Sequence, residues 1–286
     1  MSLKSIVGLD HVVILARSLD AAAETWRGLG FTIAPLGVHT AVMGTANHTI
    51  MLGEDYLELI GVVAETERNL QSREFLKARG EGIERVAFTT SSAADGVAEI
   101  KARGLAGTGP FDFGRQVDLP DGRKTQARFR TFLWPVNERP GGLRVFACEH
   151  LTREAVWIPE LTRHANTAVR IDRVELVAQN PRAAAEHMGR LIDQGVEDEK
   201  DGALRVRTGE SRGDFVFLDR ATLGRRHPGV PIDGLPAEAA VTLALRVADI
   251  EAAARVLGDK AVRVAPGVLN VAPAQATGVI LELTQV

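Results

Sequence analysis

Four apolar runs of this chain each carry an acidic residue. Glu58 lies in YLELIGV, Glu149 in VFACEHL, Asp219 in FVFLDRA and Glu282 in ILELTQV, and aligning the runs on the acid places all four at one position. A carboxylate among apolar strand residues needs a partner: a cation to pair with, a metal to ligate or a proton to move. Histidines accompany these acids. His11 stands with Asp10 inside the apolar run near the N-terminus, His48 lies in TANHTIML, and His150 follows Glu149. Cys148 is the only cysteine, which excludes an intramolecular disulfide and a CxxC metal or redox site. It has no evident activating partner and reads as a buried, apolar-like residue. His39, His187 and His227 read as turn, helix-face and loop residues without an assigned role, and no phosphate loop, dinucleotide fingerprint or GxSxG elbow is present.

The elements that must position these residues repeat along the chain. GLDHVVILARSLDAAAETW (8–26) aligns without gaps on GIERVAFTTSSAADGVAEI (82–100) and RIDRVELVAQNPRAAAEHM (170–188), and AVTLALRVADIEAAARVL continues the register from residue 240. Each copy reads as a strand of branched and aromatic residues, a polar turn, and an alanine-rich helix. Ser18, Ser92, Asn180 and Asp249 fall at equivalent places, where a side-chain oxygen caps the free amides of a helix start. Alternating runs follow each helix and end in the acid-bearing strand. The unit is therefore βαβββ and the chain holds four of them, an α+β architecture. The units span about 6–63, 82–150, 170–221 and 240–286, giving an N-terminal pair over 1–150, a connector over 151–169 and a C-terminal pair over 170–286. The second unit carries an added basic hairpin, RQVDLPDGRKTQARFRTFLWPVNERPGG, and the connector holds Trp157 and His164, expected to pack against a sheet.

The 286 residues, 45% apolar and 25% charged, suit one large or two medium globular domains. A net charge of −3 with scattered Lys and Arg argues against nucleic acid as a partner. The N-terminal run reads as neither a signal peptide nor a spanning helix, so a cytoplasmic protein with no membrane partner is expected.

Paired βαβββ units, together with GLDHVVI, ANHTIMLG, YLELIGV and ACEHLTREAVW followed by HANTA, resemble the glyoxalase-like branch of the vicinal oxygen chelate superfamily over nearly the whole chain. That resemblance implies two paired curved mixed sheets, each forming a cleft. It also implies a divalent ion, Zn, Mn, Ni, Fe or Mg, held by the first and last strands of a unit pair, and no nucleotide cofactor. Carried over residue by residue, the metal positions are His11, Glu58 and Glu149. Arg85 takes the remaining place, where a protonated guanidinium cannot ligate. Glu149 and His150 alternate along a strand; an inward His150 would make the set His11, Glu58 and His150, a two-histidine, one-carboxylate arrangement suited to Fe(II). Arg85 suits an anionic substrate oxygen or an ion pair with Glu58. His48 reads as a substrate contact or an edge-strand polar residue. Arg173 and Thr242 leave the C-terminal pair without a metal set and with a structural role.

Two functions follow from the resemblance. One is a metal-dependent lyase, isomerase or dioxygenase acting on a small carbonyl or catechol-like substrate, with Glu58 or Glu149 as proton shuttle. The other is a metal-free small-molecule binder like the bleomycin-binding relatives. Either a monomer or a homodimer is compatible with four units in one chain.

Overall fold

The computed structural model describes residues 3–119 and 122–286. The first unit runs β1 (Ile6–Ala16), α1 (Leu19–Gly28), β2 (Gly37–Val38), β3 (Thr45–Met51) and β4 (Tyr56–Val62). After α2 (Leu70–Arg79), the second runs β5 (Gly82–Thr90), α3 (Ala93–Ala102), β6 (Thr108–Asp118), β7 (Lys124–Leu133) and β8 (Arg144–His150). The third consists of β9 (Ala168–Val177), α4 (Pro181–Ile192), β10 (Val196–Asp198), β11 (Leu204–Val206) and β12 (Asp214–Leu218). Beyond α5 (Arg220–Arg226), the fourth consists of β13 (Ala239–Val247), α6 (Ile250–Leu257), β14 (Ala261–Ala265), β15 (Val268–Val271) and β16 (Ile280–Gln285).

These units pair as the repeats imply. One eight-stranded sheet has the order β2-β3-β4-β1-β5-β8-β7-β6 and the other β10-β11-β12-β9-β13-β16-β15-β14. Each is mixed: first and last strands of a unit run parallel, and the two first strands meet antiparallel at the centre. The first sheet curls until β2 approaches β6, so its concave face becomes a narrow, nearly barrel-like cleft. The added hairpin is β6 with β7; its tip residues 120 and 121 lie outside the described residues.

All four helix starts are capped as the sequence predicts. Ser18, Ser92 and Asn180 each accept a backbone N–H three residues on, and Asp249 accepts those of Glu251 and Ala252. Each such cap contributes about 1 kcal/mol. Helices α1, α3, α4 and α6 cover the outer faces of the two sheets, and those faces share one core in which Phe88 meets Phe215 edge-on at 5.9 Å. Two helices were not foreseen. α2 lays Phe75 and Leu76 on one end of the first concave face, against Val13, Leu15 and Ile60. The connector covers the other end, with Val156, Trp157 and Ile158 packed on Tyr56 and Phe129. The cleft is thus stoppered at both ends by apolar side chains.

Candidate functional site

The centre of this cleft is set by an irregularity in β1. Pairing with β5 steps from Leu9↔Phe88 to His11↔Ala87, so Asp10 is a bulged residue and both Asp10 and His11 face the cleft. The same step skips Glu84 before Arg85, and in the second sheet Asp172 before Arg173 and Val241 before Thr242. An acid precedes the bulge partner in three of the four repeat copies, a signal that makes Asp10 legible in the sequence once the repeats are aligned.

Asp10 is fully buried and organises its surroundings. It lies 2.6 Å from His11 Nδ1 and 3.0 Å from His150 Nε2, and accepts the Thr89 hydroxyl at 2.7 Å. Burial opposes its ionisation, but the charges of His150 and His11 and their hydrogen bonds outweigh it and hold the carboxyl well below the usual range. With Nδ1 engaged, His11 presents Nε2 toward the cleft. Its ring stacks on Tyr56 at 4.3 Å and meets the edge of Phe146 at 5.5 Å.

Glu58 faces His11 from β4. Its Oε2 lies 3.8 Å from His11 Nε2, too far for a hydrogen bond, and its Oε1 lies 3.9 Å from His39 Nε2. Asn47 donates to Oε1 at 2.6 Å. Burial would raise the pKa of Glu58, but His11, His39, Arg85 and the Asn47 hydrogen bond overcome it, so the buried carboxylate stays ionised. His39, without a role in the sequence reading, is brought here by the β2–β3 hairpin, where Thr45 Oγ1 lies 2.7 Å from its Nδ1. Burial, reinforced by Arg115 and Arg85 and opposed by Glu58, lowers its pKa and favours the neutral ring.

Strand register corrects two expected site residues. Glu58 pairs with Val13, two residues beyond His11, whereas in the second unit the residue two beyond Arg85, Ala87, pairs with Phe146. Phe146 is therefore the counterpart of Glu58, and Glu149 lies three residues later on the opposite face. Its Oε2 accepts the Ala93 N–H at 2.9 Å and caps α3, away from His11 and Glu58. Asp219 shows the same three-residue offset and caps α5 on Thr222. Only Glu282, opposite Ala244, shares the register of Glu58. His48 is the second correction: it shares a face of β3 with core residue Ile50, and its Nδ1 lies 2.8 Å from the Ala34 carbonyl, on the helix side of the sheet. Arg85 does face the cleft, but it pairs with Glu84 at 2.5 Å instead of Glu58. His150 also faces the cleft; its Nδ1 is buried without a partner among the described residues, and Trp157 packs on its ring at 5.0 Å.

A divalent ion suits part of this group. Of the four positions the family resemblance implies, His11 and Glu58 offer donors, while Arg85 and Phe146 do not. His39 adds a third donor from outside that set. His11 Nε2 lies 3.8 Å from Glu58 Oε2 and His39 Nε2 lies 3.9 Å from Glu58 Oε1, two different oxygens, so the three side chains would have to draw together from this arrangement to share one ion through bonds of ~2 Å. An ionised carboxylate, a buried neutral imidazole and a second imidazole backed by a carboxylate are the ligand states a divalent ion requires. Asp10, Cys148 and His150 also lie within 4.8 Å of one another. Asp10 is already engaged by three side chains, and burial with Asp10 and Glu58 nearby pushes the Cys148 thiol up, which keeps its proton on. Among the described residues this trio is the one group of His, Cys, Asp and Glu side chains whose ligand atoms come this close together.

The equivalent cleft of the second sheet is filled by its own side chains. Arg173 bonds Glu175 at 2.8 Å and Glu282 at 2.7 Å, while His227, following α5, lies 2.7 Å from Glu175 and 3.0 Å from Asn270. A separate groove beside α1 is lined largely by alanine, glycine and proline, with Arg79 and Glu81 its only charged residues. No helix among the described residues is long and apolar enough to cross a membrane.

Comparison with known proteins agrees with this architecture. The model of the Glyoxalase-like domain family matches residues 9–192. A hypothetical protein from Staphylococcus aureus has a similar structure, with TM-score 0.72 and 11% identity, over 97% of this chain and 99% of that one. A mutant of 4-hydroxymandelate synthase from Streptomyces coelicolor gives 0.63 and 14%, over 98% and 93%. Homoprotocatechuate 2,3-dioxygenase from Arthrobacter globiformis gives 0.55 and 14%, over 100% and 81%. No curated protein matches the sequence. With the family match spanning 9–192 and two curved sheets of paired βαβββ units, the chain belongs to the glyoxalase-like domain family and has the vicinal oxygen chelate fold.

Proposed function

We propose that the cleft of the first sheet holds one divalent metal ion on His11, His39 and Glu58 and acts on a small, oxygen-rich substrate as a lyase, isomerase or dioxygenase. The observation that carries this reading is His11 Nε2, without a hydrogen bond among the described residues and set 3.8 Å from an ionised, buried carboxylate while Asp10 fixes its other nitrogen. A bound ion would supply Lewis acidity to adjacent substrate oxygens. The chain's own residues do the rest. Asp10 holds the His11 ring in one tautomer, Asn47 fixes one oxygen of Glu58, and Glu58 is the base able to take up a proton at its other oxygen. The apolar stoppers at each end exclude water. Three donors leave open positions for a bidentate substrate, and two imidazoles with one carboxylate are a set that binds non-haem Fe(II). A cytoplasmic monomer or homodimer working on a small molecule fits this reading.

Elemental analysis of the purified protein tests it. Near-stoichiometric Zn, Mn, Ni or Fe in the wild type, absent from His11→Ala and Glu58→Gln and reduced at least about tenfold in affinity in His39→Ala, is the expected result. No metal in the wild type after reconstitution would remove the proposal.

Arg85 and Phe146 at two of the implied ligand positions favour a second reading, a metal-free binding cleft like that of the bleomycin-binding relatives. A ligand-induced melting shift that persists in EDTA, without turnover, would select it.

A further inference from the structure

Three guanidinium groups border the cleft, and two of them share one carboxylate. Arg85 and Arg144 share the two oxygens of buried Glu84. Arg115, reaching in from β6 of the added hairpin, is half-buried and has no ion pair among the described residues. Burial pulls its pKa down, Tyr56 and Glu58 pull it back up, and those are the groups whose charge it feels. A half-buried cation without an ion pair gains when an anion joins it.

Its position is fixed by Gly37 on β2. A Cβ there would lie 3.0 Å from Arg115 Cδ and Nη1 and 2.5 Å from Asn47 Oδ1, so the guanidinium and the amide meet over a residue with no side chain. The orientation of Asn47 is set by chemistry, because only Nδ2 can donate to Glu58. Oδ1 is then a buried acceptor with no donor among the described residues. The cleft thus offers a fixed cation and, beside it, an unsatisfied acceptor, both within one side chain of Glu58.

We propose that Arg115 is the specificity-determining residue of this cleft and binds the carboxylate of a small hydroxycarboxylate whose hydroxyl donates to Asn47 Oδ1. The inference rests on the same cleft as the proposed metal site and names its substrate class. Guanidinium meets carboxylate in a bidentate fork, and the hydroxyl satisfies the orphaned acceptor while its oxygen remains available to the His11, His39 and Glu58 group. An amide in place of the carboxylate forfeits the first contact, and a deoxy acid forfeits the second.

Calorimetric titration with glycolate, lactate and 3-phenyllactate, their amides and their deoxy acids tests this, on EDTA-treated and Mn(II)-loaded protein. At least one hydroxy acid is expected to bind about tenfold or more tightly than its amide. Arg115→Gln should abolish that preference, Arg115→Lys should retain part of it, and circular dichroism of both variants should match the wild type. Failure of all three acids to bind, equal binding of acid and amide, or an unchanged preference in Arg115→Gln would overturn the proposal. The metal reading fails separately: an Arg115-dependent acid preference in EDTA-treated protein that takes up no Mn(II) would sink the metal site and leave this inference standing. Stoichiometric metal without any acid preference would do the reverse.

Discussion

Asp10 and His11 are consecutive residues of one strand, yet their side chains lie 2.6 Å apart on the same face. Regular strand geometry points neighbours in opposite directions, so the bulge opposite Phe88 and Ala87 is what creates the pair. Its effect is to place a carboxylate behind the histidine that faces Glu58. Asp10→Asn preserves shape but weakens the hold on His11 Nδ1, and metal affinity should fall about 10–100-fold with the three donors intact. Titration with Mn(II) or Zn(II) reads this directly; unchanged affinity would show that Asp10 does not support the site.

Glu149 separates capping from ligation. Its carboxylate accepts an N–H at the start of α3, so Glu149→Ala should lower stability by about 1 kcal/mol and leave metal content untouched. Thermal melting and elemental analysis of one preparation check both halves. Loss of metal would return Glu149 to the ligand set.

Asp55 gives the protein a pH dependence near neutrality. The carboxyl is buried and accepts the Ile171 N–H at 3.1 Å, tying the β3–β4 turn to β9 of the other sheet. Burial pushes its pKa up to about 7, against the pull of that hydrogen bond and of Arg212. Between about pH 4 and pH 7 the folded protein therefore holds a proton the unfolded chain has lost, and stability falls as pH rises, on the order of a few kcal/mol in total. Asp55→Asn should flatten this decline, so that its melting temperature relative to wild type is higher at pH 8 than at pH 5. A parallel pH dependence in both proteins would contradict it.

His227 tests the filled cleft of the second sheet. Glu175 is fully buried, and although burial opposes it, Arg173, His227 and Arg226 hold its pKa well below the usual range. Removing one partner leaves a buried charge under-compensated, a loss of about 3–5 kcal/mol. His227→Ala should therefore unfold at markedly lower denaturant concentration while folded protein at low temperature keeps its metal. A metal loss equal to that of His11→Ala would place chemistry in this cleft.

The four βαβββ units, their helix caps and the candidacy of His11 and Glu58 were legible in the sequence. Apolar alternation, cap chemistry and repeat spacing are local properties, and the family resemblance carried the first- and last-strand positions. What tertiary structure decided is which side chains meet. Aligning the last strands on their acids placed Glu149 with Glu58, but pairing with the first strands offsets it by three, an odd number that turns it to the other face. Register belongs to a pair of strands and cannot be read from either one alone. His48 went to the helix side for the same reason of alternation. His39 and Arg115 reach Glu58 from a short hairpin and from the far edge of the sheet, and they come together because the sheet curls until β2 approaches β6. That closure depends on the twist and packing of all eight strands, which no local stretch of sequence encodes.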